Sequence, residues 1–383
     1  MKTRVAFAKC AQYNPEDITV ALEKAFAALG GLAQFIPRGG TVLIKPNLLT
    51  DREPKKAATT HPEIVRALIR MVRQHGGNPI VGDSPAGAMN HACGLARLDS
   101  VLEKTGFRAL CAEENTRLVI LEKEPLVACA YQGIPLGITK AAFEADLIIN
   151  VPKLKTHSFT LFTNAVKNVF GLLPGFQKAL LHKSFPNPRA FGECLAFLYA
   201  QIKPGLTVCD AVIGMEGNGP SCGTSVQLGF LAASADGVAL DVALCRMLKI
   251  NENKIAYLEA LRRMGIGESD PDNIELTGDY QELRGIRPIK QPGMASVARY
   301  IPAWLVKLVE PYIWFIPAFS EKCTACKRCV QACPVKALTL AGTSKPVVDR
   351  KKCIGCCCCH EVCPESAIKM TYSPLLSLAR CIR

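Results

Sequence analysis

An excess of thirteen positive charges over 383 residues makes the chain basic, yet the excess is dispersed and never interleaved with aromatic residues, which argues against a nucleic-acid partner. Nearly half of the residues are apolar, enough for a large core, and the length fits two or three domains. Neither a run of about eighteen apolar residues nor an apolar core long enough for a signal peptide at Met1–Lys9 is present, so the expectation is a cytoplasmic protein without a membrane span.

In chain order, Val5–Ala8 reads as a short strand and Glu16–Leu29 as a helix closed by Gly30 and Gly31. Thr41–Ile44 is a continuous apolar run, the pattern of a strand buried on both faces. After a polar loop, Thr50–Thr59, the segment Thr60-His61-Pro62-Glu63 reads as a capping box with proline in the first turn of a helix over Ile64–Gln74. Pro79–Gly82 reads as a strand closed by Asp83, and Leu98–Lys104 as a helix ended by Gly106. Val119–Leu121 and Leu126–Tyr131 look extended, and Asp146–Val151 is the clearest buried strand. Helices are predicted over Thr160–Phe170 and Ala190–Ile202. Strands at Leu206–Cys209 and Leu228–Ala233 flank a glycine-rich loop, and helices follow at Val238–Leu248 and Lys254–Met264. This alternation predicts an α/β domain over residues 1–285 with a large, mostly parallel sheet.

Residues 286–320 read as a helical connector, punctuated by Pro288, Pro292, Pro302, Pro311 and Pro317. Trp304, Leu305, Leu308, Tyr312 and Phe315 recur there at helical spacing, which suits packing between domains better than a membrane-surface helix broken at Pro311.

Residues 321–371 carry the most specific signal. Cys323, Cys326, Cys329 and Cys333 are spaced x2, x2, x3 and followed by Pro334; Cys353, Cys356, Cys359 and Cys363 repeat the spacing before Pro364. Soft thiolates in this pattern hold two cubane iron–sulfur clusters, the fourth cysteine of each run crossing to the other cluster. One [4Fe-4S] cluster would take Cys323, Cys326, Cys329 and Cys363, the other Cys353, Cys356, Cys359 and Cys333. Four-cysteine zinc sites rarely show this crossed pattern of eight. Residues 356–359 are all cysteine, and the register of the repeat makes Cys357 and Cys358 the surplus pair. The prolines suggest short helices at Val335–Leu338 and Glu365–Ile368, and Pro346-Val347-Val348 a short strand after a turn at Gly342. This small α+β, ferredoxin-like unit leaves residues 372–383 as a tail. It holds nine Lys or Arg against four Asp or Glu, a surplus that two clusters of about −2 each would bring near neutral. The other nine cysteines are scattered and read as small buried hydrophobes, and so many free thiols imply a reducing compartment.

In an open α/β sheet ligands bind beyond the carboxyl ends of strands. Lys45, Asn47 and His61 follow one predicted strand, Asp83 another, and Lys153, Lys155 and His157 alternate onto one side of an extended segment after Val151. Thr160, Asn164, Lys167 and Asn168 would share a helix face. Asp210 and Glu216 follow the strand at 206–209, and Asp236 suits a helix N-terminus. His75, His91 and His182 look like surface residues. No P-loop and no G-x-G-x-x-G fingerprint is present, so a nicotinamide cofactor is not supported.

Ile44-Lys45-Pro46-Asn47-Leu48-Leu49, Thr59-Thr60-His61-Pro62-Glu63, Gly82-Asp83-Ser84, Val151 through His157, Lys167-Asn168 and Gly214 through Pro220 resemble, in order, the signatures of the family called domain of unknown function 362. The C-terminal stretch resembles bacterial-type ferredoxin domains with two [4Fe-4S] clusters, to which that family is often joined. The resemblance implies one evolved iron–sulfur unit and no particular reaction. Three functions stay open. An iron–sulfur oxidoreductase would exchange electrons with an external donor or acceptor, with Lys45, Asn47, Lys153, Lys155, His157 and Lys167 holding an anionic small molecule and Asp83, Asp210 and Glu216 handling protons. A ferredoxin-like carrier would have no catalysis of its own, and a sensor would report ligand or redox state. The reaction and the oligomeric state are not legible in the sequence.

Overall fold

The structure, a computed structural model, describes residues 2–85, 91–292, 315–340, 342 and 345–373. Twelve strands belong to the large domain: β1 (Thr3–Lys9), β2 (Thr41–Pro46), β3 (Asn78–Gly82), β4 (Arg117–Val119), β5 (Leu126–Tyr131), β6 (Ile134–Thr139), β7 (Leu147–Val151), β8 (Lys153–His157), β9 (Leu161–Thr163), β10 (Leu206–Glu216), β11 (Thr224–Ser234) and β12 (Ile274–Gly278). Ten of them form one sheet, whose main path runs β12-β1-β11-β10-β7-β2-β3-β4. β11 is antiparallel to both its neighbours, and the other pairings on this path are parallel. β5 and β6 make a separate hairpin.

The apolar runs put the sheet in the middle of two cores. Val42 and Ile44 point into one, with the helices Pro15–Ala28 and Pro62–Gln74; Leu43 points into the other, with Pro188–Ile202, Gly237–Met247 and Ala256–Met264. A strand covered on both faces cannot carry polar side chains along its length, so they are displaced to its ends. β7 continues past Pro152 into β8, which pairs with β10 further along, and β9 folds back on β8. That extension carries the polar row Lys153, Lys155, His157 beyond the sheet's carboxyl edge.

Several local expectations change. The segment 160–170 is a turn, strand β9, the short helix Ala165–Asn168 and a 3-10 turn, so Thr160 does not share a helix face with Lys167. Its single-helix reading fails because Leu161, Phe162 and Thr163 pair with β8. The helix Pro62–Gln74 is capped by the His61 imidazole, which accepts from Glu63 N–H at 3.3 Å, and not by Thr60. Thr60 is drawn away to cross-link two strand ends, accepting from Asn47 N–H and donating to the Val151 carbonyl. Asp236 caps its helix as expected, accepting from Val238 N–H at 2.8 Å. The helices Phe107–Glu113 and Gln177–Ser184 were not legible from periodicity.

The C-terminal unit repeats a strand, a cysteine loop, a helix and a strand. β13 (Phe315–Phe319) pairs antiparallel with β16 (Ile368–Tyr372), and β14 (Leu338–Thr339) with β15 (Val347–Val348). Its helices are Arg328–Gln331 and Cys358–Glu361, ahead of the prolines and not after them. Proline here acts as a helix stop, since it cannot continue the turn it follows. The connector proper, 293–314, lies outside the described residues, and the stretch 286–320 ends in β13. Among the described residues no helix is long and apolar enough to cross a membrane.

Candidate functional site

β2, β3 and β7 are parallel neighbours, so their carboxyl ends lie side by side and their polar termini meet. Lys45, near the end of β2, is fully buried and donates to Asp83 Oδ1 at 2.7 Å and to the Pro46 carbonyl at 3.0 Å. Asp83 Oδ2 accepts from Leu48 N–H at 2.6 Å. Burial lowers the Lys45 pKa and the Asp83 charge opposes that shift. The pair leaves no space beside it: a Cβ on Gly171 would stand 2.0 Å from Asp83 Oδ1.

Along β8 the alternating side chains diverge in role. Lys153 donates to Asp210 Oδ2 at 2.9 Å and to the Tyr13 hydroxyl at 2.6 Å, and that hydroxyl donates to Asp210 Oδ1 at 2.7 Å. Asp210 also accepts from His61 N–H at 2.9 Å, and the His61 ring stacks on Tyr13 with centroids 3.8 Å apart. This is a closed network with no face on the cavity described below. Glu216 is likewise committed, in a two-pronged pair with Arg287 at 2.9 Å for each contact and to Lys290 N–H. Lys155, by contrast, bonds only neutral oxygens, Asn47 Oδ1 at 2.6 Å and the Ala58 carbonyl at 2.8 Å. Burial and then the Lys167 and Lys153 charges hold its pKa well below the ordinary lysine range.

Lys167 rides on the helix Ala165–Asn168, whose N-terminus is held by Asp241: its carboxylate accepts from Asn164 Nδ2, Ala165 N–H and Val166 N–H. Burial raises Asp241 to about 7 against those bonds. Lys167 makes no hydrogen bond among the described residues; its Nζ lies 5.5 Å from the Phe170 ring centroid. His157 Nδ1 accepts from Phe159 and Thr160 N–H, so the neutral ring carries its proton on Nε2. That Nε2 lies 3.3 Å from Glu361 Oε1, out of hydrogen-bond alignment. Burial pushes His157 down to about 3. Burial alone would raise Glu361, but the His157 contact and the Lys167 charge bring it to about 2.

Glu361 belongs to the iron–sulfur unit, which docks here through polar contacts. Arg328 grips Asp51 at 2.8 Å on both oxygens, Arg52 donates to the Cys363 carbonyl at 2.6 Å, and Ser221 donates to the Glu361 carbonyl at 2.9 Å. Gly219 presses on Thr156 at the same seam, where a Cβ would stand 2.0 Å from the Thr156 carbonyl. Between the two bodies lies a cavity of about 70 Å³. Its α/β wall carries Asn47, Asp83, Ser84, Lys155, Lys167, Lys178 and His182, and its other wall Ala332, Cys358, Glu361 and Val362. A cavity of this size, with several convergent polar groups, suits a ligand of few atoms.

Of the residues singled out in the sequence, Asn47, Asp83, Lys155 and Lys167 therefore meet on one wall. Lys45 stands behind Asp83, His157 lies beyond at Glu361, and Lys153, Asp210 and Glu216 are elsewhere. His182, taken for a surface residue, is only 3% exposed; it stacks on Phe191, its Nδ1 has no partner, and burial lowers its pKa to about 4. Lys178, His182, Glu361 and Cys358 were missed. The four-residue step from Lys178 to His182 on one helix face was their available signal.

Two further cavities sit inside the unit. One, of about 20 Å³, is lined by Cys323, Cys326, Cys329 and Cys363; the other, also of about 20 Å³, by Cys333, Cys353, Cys356, Cys357 and Cys359. Cys363 thus lies with the first run and Cys333 with the second, and Cys357, expected to be surplus, lines the second cavity too. Cys358 faces the cavity between the two bodies. Among the described residues no three such side chains stand at the spacing of a single ion, whereas a cubane takes each thiolate on a separate iron. Ala337 N–H donates to Cys333 Sγ and Ala367 N–H to Cys363 Sγ, both at 3.2 Å, the kind of contact that stabilises a cluster-bound thiolate. The residues thus fit cubane clusters.

Residues 42–246 match the family described as Domain of unknown function (DUF362), and residues 317–339 match the 4Fe-4S binding domain, which indicates iron–sulfur binding and electron transfer. A thylakoid-associated protein of Synechocystis sp. is 34% identical over 278 residues, 72% of this chain and 83% of that protein. The lactate racemase apoprotein from Thermoanaerobacterium thermosaccharolyticum aligns with a TM-score of 0.42 at 18% identity, over 65% of this chain and 58% of that structure, so the chain spans a little over half of it.

Proposed function

This chain belongs to the DUF362 family, and from that premise we propose that it is an oxidoreductase with two [4Fe-4S] clusters, acting on an anionic small molecule held in the cavity between its two bodies. The observation that carries this reading is the shared wall. Lys155 and Lys167 line one cavity with Cys358 and Glu361 of the helix Cys358–Glu361, which contains Cys359 and follows Cys356, both of the second cluster set. The clusters, when bound, supply one-electron transfer. The chain's own residues supply the rest. Among the described residues Lys155 and Lys167 have no carboxylate hydrogen-bond partner, and burying them together is costly unless an anion offsets their charge. Glu361 Oε1 and His182 Nδ1 are buried without partners among the described residues and can position a polar group of the ligand. Asp83, on the same wall but paired with Lys45, fixes the lysine edge; Lys153 and Asp210 brace it from behind.

The test is native mass spectrometry of anaerobically purified protein, wild type against Lys155→Ala with Lys167→Ala. The wild type should retain a small anionic adduct that the variant lacks, with eight iron in both. Restoration of a deletion strain by the cluster-replete variant would remove the case for the cavity and leave an electron carrier.

A further inference from the structure

We propose that the first half of the iron–sulfur unit is the docking face for an acidic one-electron carrier protein, which delivers electrons through the cluster set of Cys323, Cys326, Cys329 and Cys363. This rests on the reading that the chain exchanges electrons with an external partner.

Three observations converge. First, the two cluster sets differ in access. In the first set Cys326 is exposed, Cys323 half-buried and Cys329 and Cys363 buried; in the second Cys353 is half-buried and the other three are buried, so only the first set brings a ligand to the surface. Electron tunnelling falls steeply with distance, so a partner is served best where a ligand reaches the surface. Second, part of the unit is already occupied: the helix Cys358–Glu361, Arg328 and the Cys363 carbonyl lie against the α/β domain, whereas the loop carrying Cys323 and Cys326 makes no such hydrogen bond among the described residues. Third, the free surface is basic. Lys322, Lys327, Lys336, Lys351 and Lys369 are exposed and make no ion pair among the described residues. Glu321 is taken by Lys345 and Asp349 by Lys352, which leaves Glu365 as the exposed acid without a partner among the described residues of the unit. Lys322 and Lys327 flank Cys323 and Cys326, and Lys327 lines their cavity. A rim of this sign steers an acidic partner and repels a basic one. In the step itself one electron leaves the reduced carrier, which is oxidised, and reduces this chain by one; no bond or proton is exchanged.

The experiment uses the full chain with its clusters and reduced flavodoxin, an acidic one-electron flavoprotein, as the probe. Stopped-flow absorbance gives the second-order rate of reduction, and calorimetry with oxidised flavodoxin gives the affinity. Lys322→Glu with Lys327→Glu should slow reduction about tenfold and weaken binding in step, and the wild-type rate should fall as salt is added. Lys2→Glu with Lys123→Glu, on the α/β domain, should change the rate by less than about twofold. Dithionite should reduce all three proteins alike, which separates docking from cluster loss. If the charge-reversed pair loads poorly, Lys322→Gln with Lys327→Gln replaces it, with a loss of about threefold expected. Equal losses in both surfaces, or a rate indifferent to salt, would overturn the proposal. Turnover is not read, so a cavity that binds nothing would leave this result untouched.

Discussion

The two halves of the iron–sulfur unit have the same backbone and opposite surroundings. Ala325, Lys327 and Lys336 take left-handed φ angles of 51°, 62° and 51°, and thirty positions later Gly355, Cys357 and Ser366 take 63°, 65° and 50°. The short helices, at Arg328–Gln331 and Cys358–Glu361, keep the same offset. What differs is the pair that opens each helix: Lys327-Arg328 in the first half, Cys357-Cys358 in the second. Lys327 is exposed and Arg328 reaches Asp51, whereas Cys357 and Cys358 are buried and Cys358 faces the cavity. Burial of two long cations against the α/β domain would cost several kcal/mol each, so the docked half needs small apolar side chains there. The surplus cysteines are thus explained by where that half sits, with no cluster needing them.

The sharpest way to break this comparison is at the ligands. Cys356→Ser should cost one whole cluster, about four iron and four sulfide, whereas Cys357→Ser and Cys358→Ser should each keep about eight iron by colorimetric assay. Loss of iron in either of the latter would show that the halves are not in the register their φ angles indicate. Next in size is a swap that makes the second half resemble the first. Cys358→Arg places a charge in the seam, and at several kcal/mol it should undock the unit. Hydrogen exchange should then rise around Ser221 and Glu361 while iron content holds. Unchanged protection there would mean that the seam tolerates charge and that the contrast between the halves has another cause.

That contrast also marks what the sequence could carry. The cysteine spacing predicts two ligand sets because three-residue steps around a cubane leave few alternatives, and the two cavities gather those cysteines with Cys357 added to the second. The buried strands at 41–44 and 146–151 were equally legible, since a chain covered on both faces must be apolar throughout. Docking left no such trace. Lys178 and His182 share a helix face, but Glu361 joins them only when a second body closes over the sheet edge, and local periodicity does not report contacts between distant segments. For the same reason Asp210 and Lys153 could be placed on the right strands while their mutual pairing stayed hidden. A lysine that ends up neutralised by Asp210 and one that faces a cavity look identical in a strand-end motif.

Arg328→Ala tests the first half's own bond to the domain. Asp51 would lose its guanidinium partner but keep Ser100 Oγ at 2.9 Å and Lys104 at 3.5 Å, so the expected loss is moderate, about 1–3 kcal/mol in denaturant titrations. The Arg328 charge and hydrogen bonds now hold the Asp51 pKa down although burial, the largest single influence, acts to raise it. A folded-state carboxyl pKa below its unfolded value means stability that is present above the unfolded value and lost as pH falls through the folded one. The variant should therefore lose less stability than the wild type when pH falls below about 4. An unchanged acid profile would show that Asp51 does not feel Arg328 and that the half is held by Arg52 and Ser221 instead.

The smallest effect expected distinguishes the halves by potential. Lys167 lines the cavity with Glu361 and with Cys358, the chain neighbour of Cys359 in the second cluster set. A positive charge favours the reduced, more negative state of a nearby cluster. At about 10 Å and an effective dielectric of about 20, a unit charge is worth about 1.7 kcal/mol, or about 70 mV for one electron. Lys167→Met should therefore lower the second cluster's potential by tens of millivolts and the first cluster's by less, read by titration with electron paramagnetic resonance. Lys155 sharpens the result. Its pKa is already held well below the lysine range by burial, so its charge is lost early as pH rises and returns when an anion binds beside it. The second potential should fall with rising pH in the wild type, and an added anion should shift that fall to higher pH. Equal shifts in both clusters would place the lysine charge no nearer one than the other, and the wiring of one outward and one inward half would have to be abandoned.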